Sequence, residues 1–271
     1  MITISSISLA GGQGKSTTTL FLARLLASSG ANVLVVDGDP QSSLTTFLGF
    51  QVEADSPTLL EVLKKQEGVE TKDGIYPTKY ENLYLIPSDD ALDKVQDYLS
   101  SSGRGALTLG RRLKTVNSLF DYCLIDSPPQ RSQITLTSIG ASNGMIIPVE
   151  VSVKGLKSLV RTLQLIDELK DEDESFGGSI VGILPFRDRW VGLRRTKESQ
   201  NNIEAMQNLS IEFLNADLLL PTIRESEKYK QAMNQGLTLH DMGQEDLAYP
   251  IEILASKINQ IANPVEALTR S

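Results

Sequence analysis

The 271 residues suffice for one large domain or two modest ones, and an apolar share of 40% can bury a core without disulfides or structural metals. A single cysteine, Cys123, and a single histidine, His240, exclude a disulfide framework, a CxxC zinc or iron–sulfur centre and the common histidine-rich constellations. Lys and Arg number 26 against 34 Asp and Glu, so at a net charge of −8 any attraction to nucleic acid must come from local basic patches.

In chain order, the first residues, MITISSISLAGG, lack the basic start and long apolar stretch of a signal peptide. No apolar run approaches the roughly 18 residues of a spanning helix, which leads to the expectation of a soluble, cytoplasmic protein. Short β-branched and apolar runs at residues 2–9, 31–37, 82–87, 120–126, 144–149 and 179–185 predict strands. Helical periodicity marks 16–26, 156–169 and 197–209. Buried strands alternating with helices predict an α/β fold, a mostly parallel twisted sheet with helices on both faces. No repeat or linker interrupts the pattern, so residues 1–271 read as one domain, with 263–271 as a flexible tail. The acidic stretch 167–174 reads as a solvated helix end, since acids there oppose the helix dipole. Cys123 falls inside a strand and reads as a buried, inert hydrophobe. His240 has no acid–base partner nearby in sequence and reads as structural.

The sharpest signal is AGGQGKST at residues 10–17, directly after the first strand and at the start of a helix. Gly11, Gly12 and Gly14 let the backbone turn its N–H groups inward as a seat for phosphate. Gln13 and Thr17 belong to the same loop and helix start, which adds its positive end to the site. Lys15 can reach the terminal phosphates, and the Ser16 hydroxyl can ligate Mg²⁺. The first glycine of GxxxxGK[ST] would fall at Leu9, so the loop is of a different subclass. Asp37 and Asp39, in VDGDPQ, end the strand beside this loop, where α/β folds carry ligand chemistry.

GGxGK[ST] followed by the DxDPQ strand end resembles the deviant Walker A ATPases of the ParA/MinD group, a P-loop NTPase family. FDYCLIDSPP at 120–129 is similar to the group's Walker B strand, 146–149 to its following IPV strand, and LPTIRESEKY from residue 220 to a later ParA segment. The resemblance covers most of the chain in the right order. It implies ATP and Mg²⁺ as cofactors, Ser16, Asp39 and Asp126 around the metal, and Asp39 as the group positioning the attacking water. It also implies adenine contacts from Pro185, Phe186, Arg187 and Pro221, an ATP-dependent homodimer, and hydrolysis stimulated by a cargo-bound adaptor protein.

One departure stands out. The group's signature lysine precedes GGxGK, and here that position is Ala10. The McdA group, which spaces carboxysomes over the nucleoid, is similar in lacking it. Lys154 follows the strand that ends at Val149 and opens a helix, where a cation is disfavoured by roughly 0.3–1 kcal/mol unless something compensates. A triphosphate would compensate, so Lys154, and after it Lys157, is the candidate for contacting ATP across the dimer.

RDRWVGLRRTK at 187–197 holds Arg187, Arg189, Arg194, Arg195 and Lys197 against one acid, and Arg224, Lys228 and Lys230 form a second cluster. These are the candidate contacts for non-specific DNA binding, which the resemblance also implies and which would associate the protein with the nucleoid. Trp190 is expected to pack against the core. The final helix carries Leu247, Ile251, Leu254, Ile258 and Ile261 at helical spacing but only Lys257 as a base, so it is expected to dock on protein and not membrane. Three alternatives remain beside a ParA-like positioning ATPase: a metabolic ATP-dependent synthetase of the P-loop class, a MinD-like membrane ATPase, and an adaptor that binds ATP without cleaving it.

Overall fold

The structure is a computed structural model and describes residues 1–66, 68–172 and 176–262. The expected tail, 263–271, and the end of the acidic stretch, 173–174, lie outside the described residues. The chain runs β1 (Ile2–Ser6), α1 (Lys15–Ser28), β2 (Val33–Asp37), α2 (Ser43–Phe47), α3 (Leu59–Lys64), β3 (Tyr76–Pro77) and β4 (Leu83–Ile86). It continues through α4 (Val95–Ser101), α5 (Thr108–Lys114), β5 (Tyr122–Asp126), α6 (Gln133–Gly140), β6 (Gly144–Glu150) and α7 (Val153–Glu172). Then come β7 (Ser179–Asp188), β8 (Trp190–Val191), β9 (Arg194–Arg195), α8 (Lys197–Leu214), β10 (Ile223–Arg224), α9 (Glu227–Gln235) and α10 (Glu245–Ala262).

One sheet has the order β10-β7-β6-β1-β5-β2-β4-β3, parallel except for the edge strand β3. Strand β2 shows why it forms. Successive side chains on a strand point to opposite faces, and all five residues of VLVVD are buried, so the strand needs cover on both sides. Val33 and Val35 pack with α1 and α10, while Leu34 and Val36 pack with α3, α4 and α5. A third cluster joins β6 and β7 to α7 and α8 on Leu159, Leu163, Ile166 and Met206.

The six predicted strands and three predicted helices all form, with shifted ends. Strand β7 continues three residues past the predicted end, to Asp188. Beyond it, residues read as a basic loop fold into the β8–β9 hairpin. The stripe on α10 faces inward: Ile251, Leu254 and Ile258 are buried against α1 and the sheet, with Leu247 and Ile261 beside them. It is thus part of the core, and no helix among the described residues is long and apolar enough to cross a membrane. Cys123 is fully buried and its thiol is pushed far up by burial, as expected of an inert core residue. His240 has a partner after all, Glu252, two turns into α10, at 2.6 Å.

Candidate nucleotide site

Strand β1 feeds α1, which crosses over to β2, and β5 is inserted between the two strands. The loop from Ile7 to Gly14 therefore opens above the carboxyl ends of β1, β5 and β2, the place where such sheets bind ligands. Gly14 occupies the N-cap position of α1 with φ of 94°, a conformation that an L side chain adopts at a cost. A Cβ there would also lie 2.6 Å from the Phe186 ring. Gly11 and Gly12 have open space where a Cβ would stand, so the outer loop is an uncovered cradle.

Gly14→Ala combines left-handed strain with overpacking, together about 2–5 kcal/mol. A melting temperature lower by about 5–10 °C is expected, and an unchanged melting curve would contradict this account of the loop.

The loop is tied at three points. The Gln13 side-chain oxygen accepts from the backbone N–H of Glu150 at 2.9 Å. Lys15 is buried along α1 and donates to the Ala10 carbonyl at 3.3 Å. Lys154 donates to the Gly11 carbonyl at 3.0 Å. This last contact is the compensation that a lysine at the start of α7 requires, and it places the ammonium on the rim of the phosphate loop. Lys157, one turn on, is exposed and makes no side-chain hydrogen bond among the described residues.

Three acids face this loop, and they differ in what holds them. Asp37 and Asp126 are paired residues on adjacent strands, both fully buried. The Asp37 carboxylate accepts from the Thr45 backbone and hydroxyl at 2.8 and 2.7 Å and from the Asp39 N–H at 3.2 Å. It thereby caps the turn into α2, and burial still raises its pKa to about 6 against those hydrogen bonds. Asp126 has no such support: neither of its oxygens accepts a hydrogen bond among the described residues, although the nearby Ser16 hydroxyl eases its charge. Burial, then Asp37, push its carboxyl up to about 8, with Lys15 opposing. Burial in turn lowers the Lys15 pKa, against the pull of Asp126 and Asp39. Asp39 is half-buried and holds only the Gln41 N–H, at 3.0 Å, so its carboxylate remains available.

An unsupported carboxylate at the foot of a phosphate loop fits a divalent cation, which would satisfy both oxygens and cancel the repulsion from Asp37. Ser16, half-buried in the first turn of α1, is the neighbouring hydroxyl donor. Thr17 lies beside it in the same turn.

The remaining expected residues gather at the end of β7. Pro185 and Phe186 are buried within the strand, and Phe186 packs beneath Gly14. Arg187 turns out at φ 59° and pairs with Glu150 at 3.4 Å. Pro221 is half-buried just ahead of β10, which pairs with β7. Of the basic residues, Arg189 pairs with Glu225 at 3.2 Å and Arg195 with Asp188 at 2.9 Å. Arg224 lies 4.1 Å from the centre of the Trp190 ring. Arg194, Lys197 and Lys230 are exposed and make no side-chain hydrogen bond or ion pair among the described residues, and Lys228 bonds only to Gln231. Asp188, the one acid of that basic segment, does pair with one of its arginines, and it is buried: its carboxylate also accepts from Trp190 at 2.8 Å and Thr222 at 2.7 Å. Its burial is what the local sequence does not show, since it depends in part on Thr222, 34 residues away.

Sheet order, phosphate loop and paired strand-end acids together define a P-loop NTPase of the ParA-like class. A family model described as an AAA domain matches residues 1–175. The "Maintenance of carboxysome distribution protein A" of Synechococcus elongatus is 49% identical over 258 residues, covering 95% of this chain and 99% of that protein. The ATP complex of an aspartate-to-alanine variant of Cyanothece McdA superimposes with a TM-score of 0.90 at 47% identity, covering 96% of each chain. The cell division ATPase MinD of Pyrococcus furiosus, 23% identical with a TM-score of 0.71, has the same fold. The chain belongs to the McdA family of ParA-like ATPases.

Proposed function

We propose that this chain is an ATPase that positions carboxysomes, cycling between an ATP-bound pair of chains that holds DNA and a released state. The observation that carries the reading is the unsupported, buried Asp126 beneath a phosphate loop whose outer glycines are uncovered. The family relatives, carboxysome-distribution proteins solved with ATP in one case, supply the cargo and the nucleotide.

In this reading the loop N–H groups and Lys15 hold the phosphates, and Ser16 and Asp126 hold Mg²⁺, which neutralises phosphate charge when bound. Asp39, the one acid of the three that is not fully buried, orients the attacking water, directly or through the metal shell. Lys154 takes the place of the lysine absent at position 10 and reaches the partner's phosphates. Phe186, under Gly14, relays the loop's state to the end of β7, with Pro185, Arg187 and Pro221 near the adenine.

ATP shifts the chain toward pairing by its higher affinity for the paired state. Two copies of the basic face then act together on DNA, through Arg194, Lys197, Lys228 and Lys230, with Arg187, Arg189, Arg195 and Arg224 at its border. A cargo-bound adaptor stimulates hydrolysis and releases the pair, so the cargo moves along the nucleoid toward chains still bound.

DNA retention measured with ATP, with ADP and without nucleotide over a salt series tests this. Binding confined to ATP, with affinity falling linearly in log–log form against salt, is expected. Retention that ignores nucleotide or salt would refute the switch.

A further inference from the structure

Among the described residues the largest exposures of apolar side chains fall on one short feature. Leu193 is 93% exposed and Val191 76%, and both belong to the β8–β9 hairpin. The turn is two residues, Gly192-Leu193, with the positive φ (59°) confined to the glycine that opens it. Such a turn holds Leu193 out at the tip, away from every core cluster.

The base of the hairpin is braced as firmly as its tip is bare. Trp190 and Arg195 are paired across the strands, and both bond to the buried Asp188 carboxylate. Two guanidinium groups lie over the Trp190 ring, Arg195 at 5.2 Å and Arg224 at 4.1 Å from its centre. Arg189 is held by Glu225. The outward cations nearest the tip are Arg194, in register with Val191, and Lys197 at the start of α8. An apolar point on a rigid base, ringed by arginines in a chain of net charge −8, is thus set against the trend of the whole surface.

We propose that this hairpin is a wedge that enters the minor groove of duplex DNA, Leu193 and Val191 against the bases and sugars, and Arg194 and Lys197 on the flanking phosphates. The inference rests on the DNA-holding reading above and adds the mode of contact. Charge complementarity selects a polyanion. Size selects a groove: two side chains fall far short of the roughly 800 Å² per partner of a stable protein interface. One or two apolar residues are what a minor-groove wedge uses, and a β-ribbon is an established means of delivering it. Contact of this kind reads no base sequence but favours easily unstacked pyrimidine–purine steps and bends the duplex.

The test uses the full chain with ATP and Mg²⁺ on a duplex rich in TA steps. Affinity is followed over a salt series, and bending by energy transfer between end labels. Leu193→Ser, at a position without core contacts, is expected to bind roughly tenfold more weakly with an unchanged salt slope and a straighter duplex. Arg194→Ala is expected to lower the salt slope by about 1 per chain of the bound pair instead. Wild-type affinity and bending in Leu193→Ser, with Arg194→Ala still weakened, would overturn the wedge and leave the DNA reading standing. Binding of the unaltered chain to phosphatidylglycerol vesicles but not to duplex would overturn both.

Discussion

Replacing Lys154 by alanine is expected to abolish ATP-dependent pairing of two chains and to slow ATP turnover by about 10³–10⁵-fold, the range for a cation supplied in trans to a transferring phosphoryl group. The argument begins with Ala10, which cannot neutralise charge at the position where relatives of the ParA/MinD group carry a lysine. Lys154 reaches the same loop from the other side, donating to the Gly11 carbonyl from an exposed position at the start of α7. An ammonium held by a single carbonyl gives up little when a triphosphate offers full negative charges. If the lysine merely braces its own loop, Lys154→Ala will weaken ATP binding in a single chain and leave pairing, at saturating ATP, as in the unaltered protein. Sedimentation with ATP separates the two roles, and single-turnover hydrolysis measures the second. Lys154→Arg keeps the charge on a planar fork and is expected to restore part of the pairing.

The sequence carried the phosphate loop and the strand-end acids because both are local: three glycines, Lys15, Ser16 and Thr17 fall within eight positions between a strand and a helix, and the acids follow apolar runs. It could not tell Asp37 from Asp39 or Asp126 in kind, since what separates them is tertiary. Asp37 is spoken for by Thr45, eight residues on, while Asp126 owes its raised pKa to burial and to a neighbour on another strand. The same holds for the basic segment at 187–197. Its charges were visible, but its strands are only two residues each, too short for any periodicity. The pairing that gives it shape depends on Asp188, and Asp188 depends on Thr222 and Trp190. The short helices α2 to α6 escaped for the related reason that five to eight residues hold barely two turns of pattern. Propensity gave way there to burial by the sheet.

The nucleotide-free chain should lose stability as pH rises from about 4 to about 8, and Asp126→Asn should remove most of that dependence. The sign follows from the proton count. Unfolded, the carboxyl titrates near its ordinary value of 3.8; folded, burial and Asp37 raise it to about 8. Between these values the folded chain keeps a proton that the unfolded chain has released, so each step up in pH favours unfolding. Stability from this group is complete below pH 4 and is gone once pH passes the folded value. Asp37, raised to about 6, adds a smaller loss that is finished earlier. An asparagine is neutral throughout, so at pH 8 the variant should be more stable by on the order of 3–5 kcal/mol and melt roughly 10 °C higher. The gain carries a functional loss, because Mg²⁺ takes only the ionised carboxylate. Thermal melts with and without ATP and Mg²⁺ should therefore cross: the unaltered chain gains most from ligand at high pH, and Asp126→Asn gains little at any pH. A melting temperature of the nucleotide-free wild type that climbs from pH 6 to pH 8 would show that Asp126 is already ionised. Lys15 would then be its resident counter-charge, and the orphaned pair of oxygens would no longer argue for a metal.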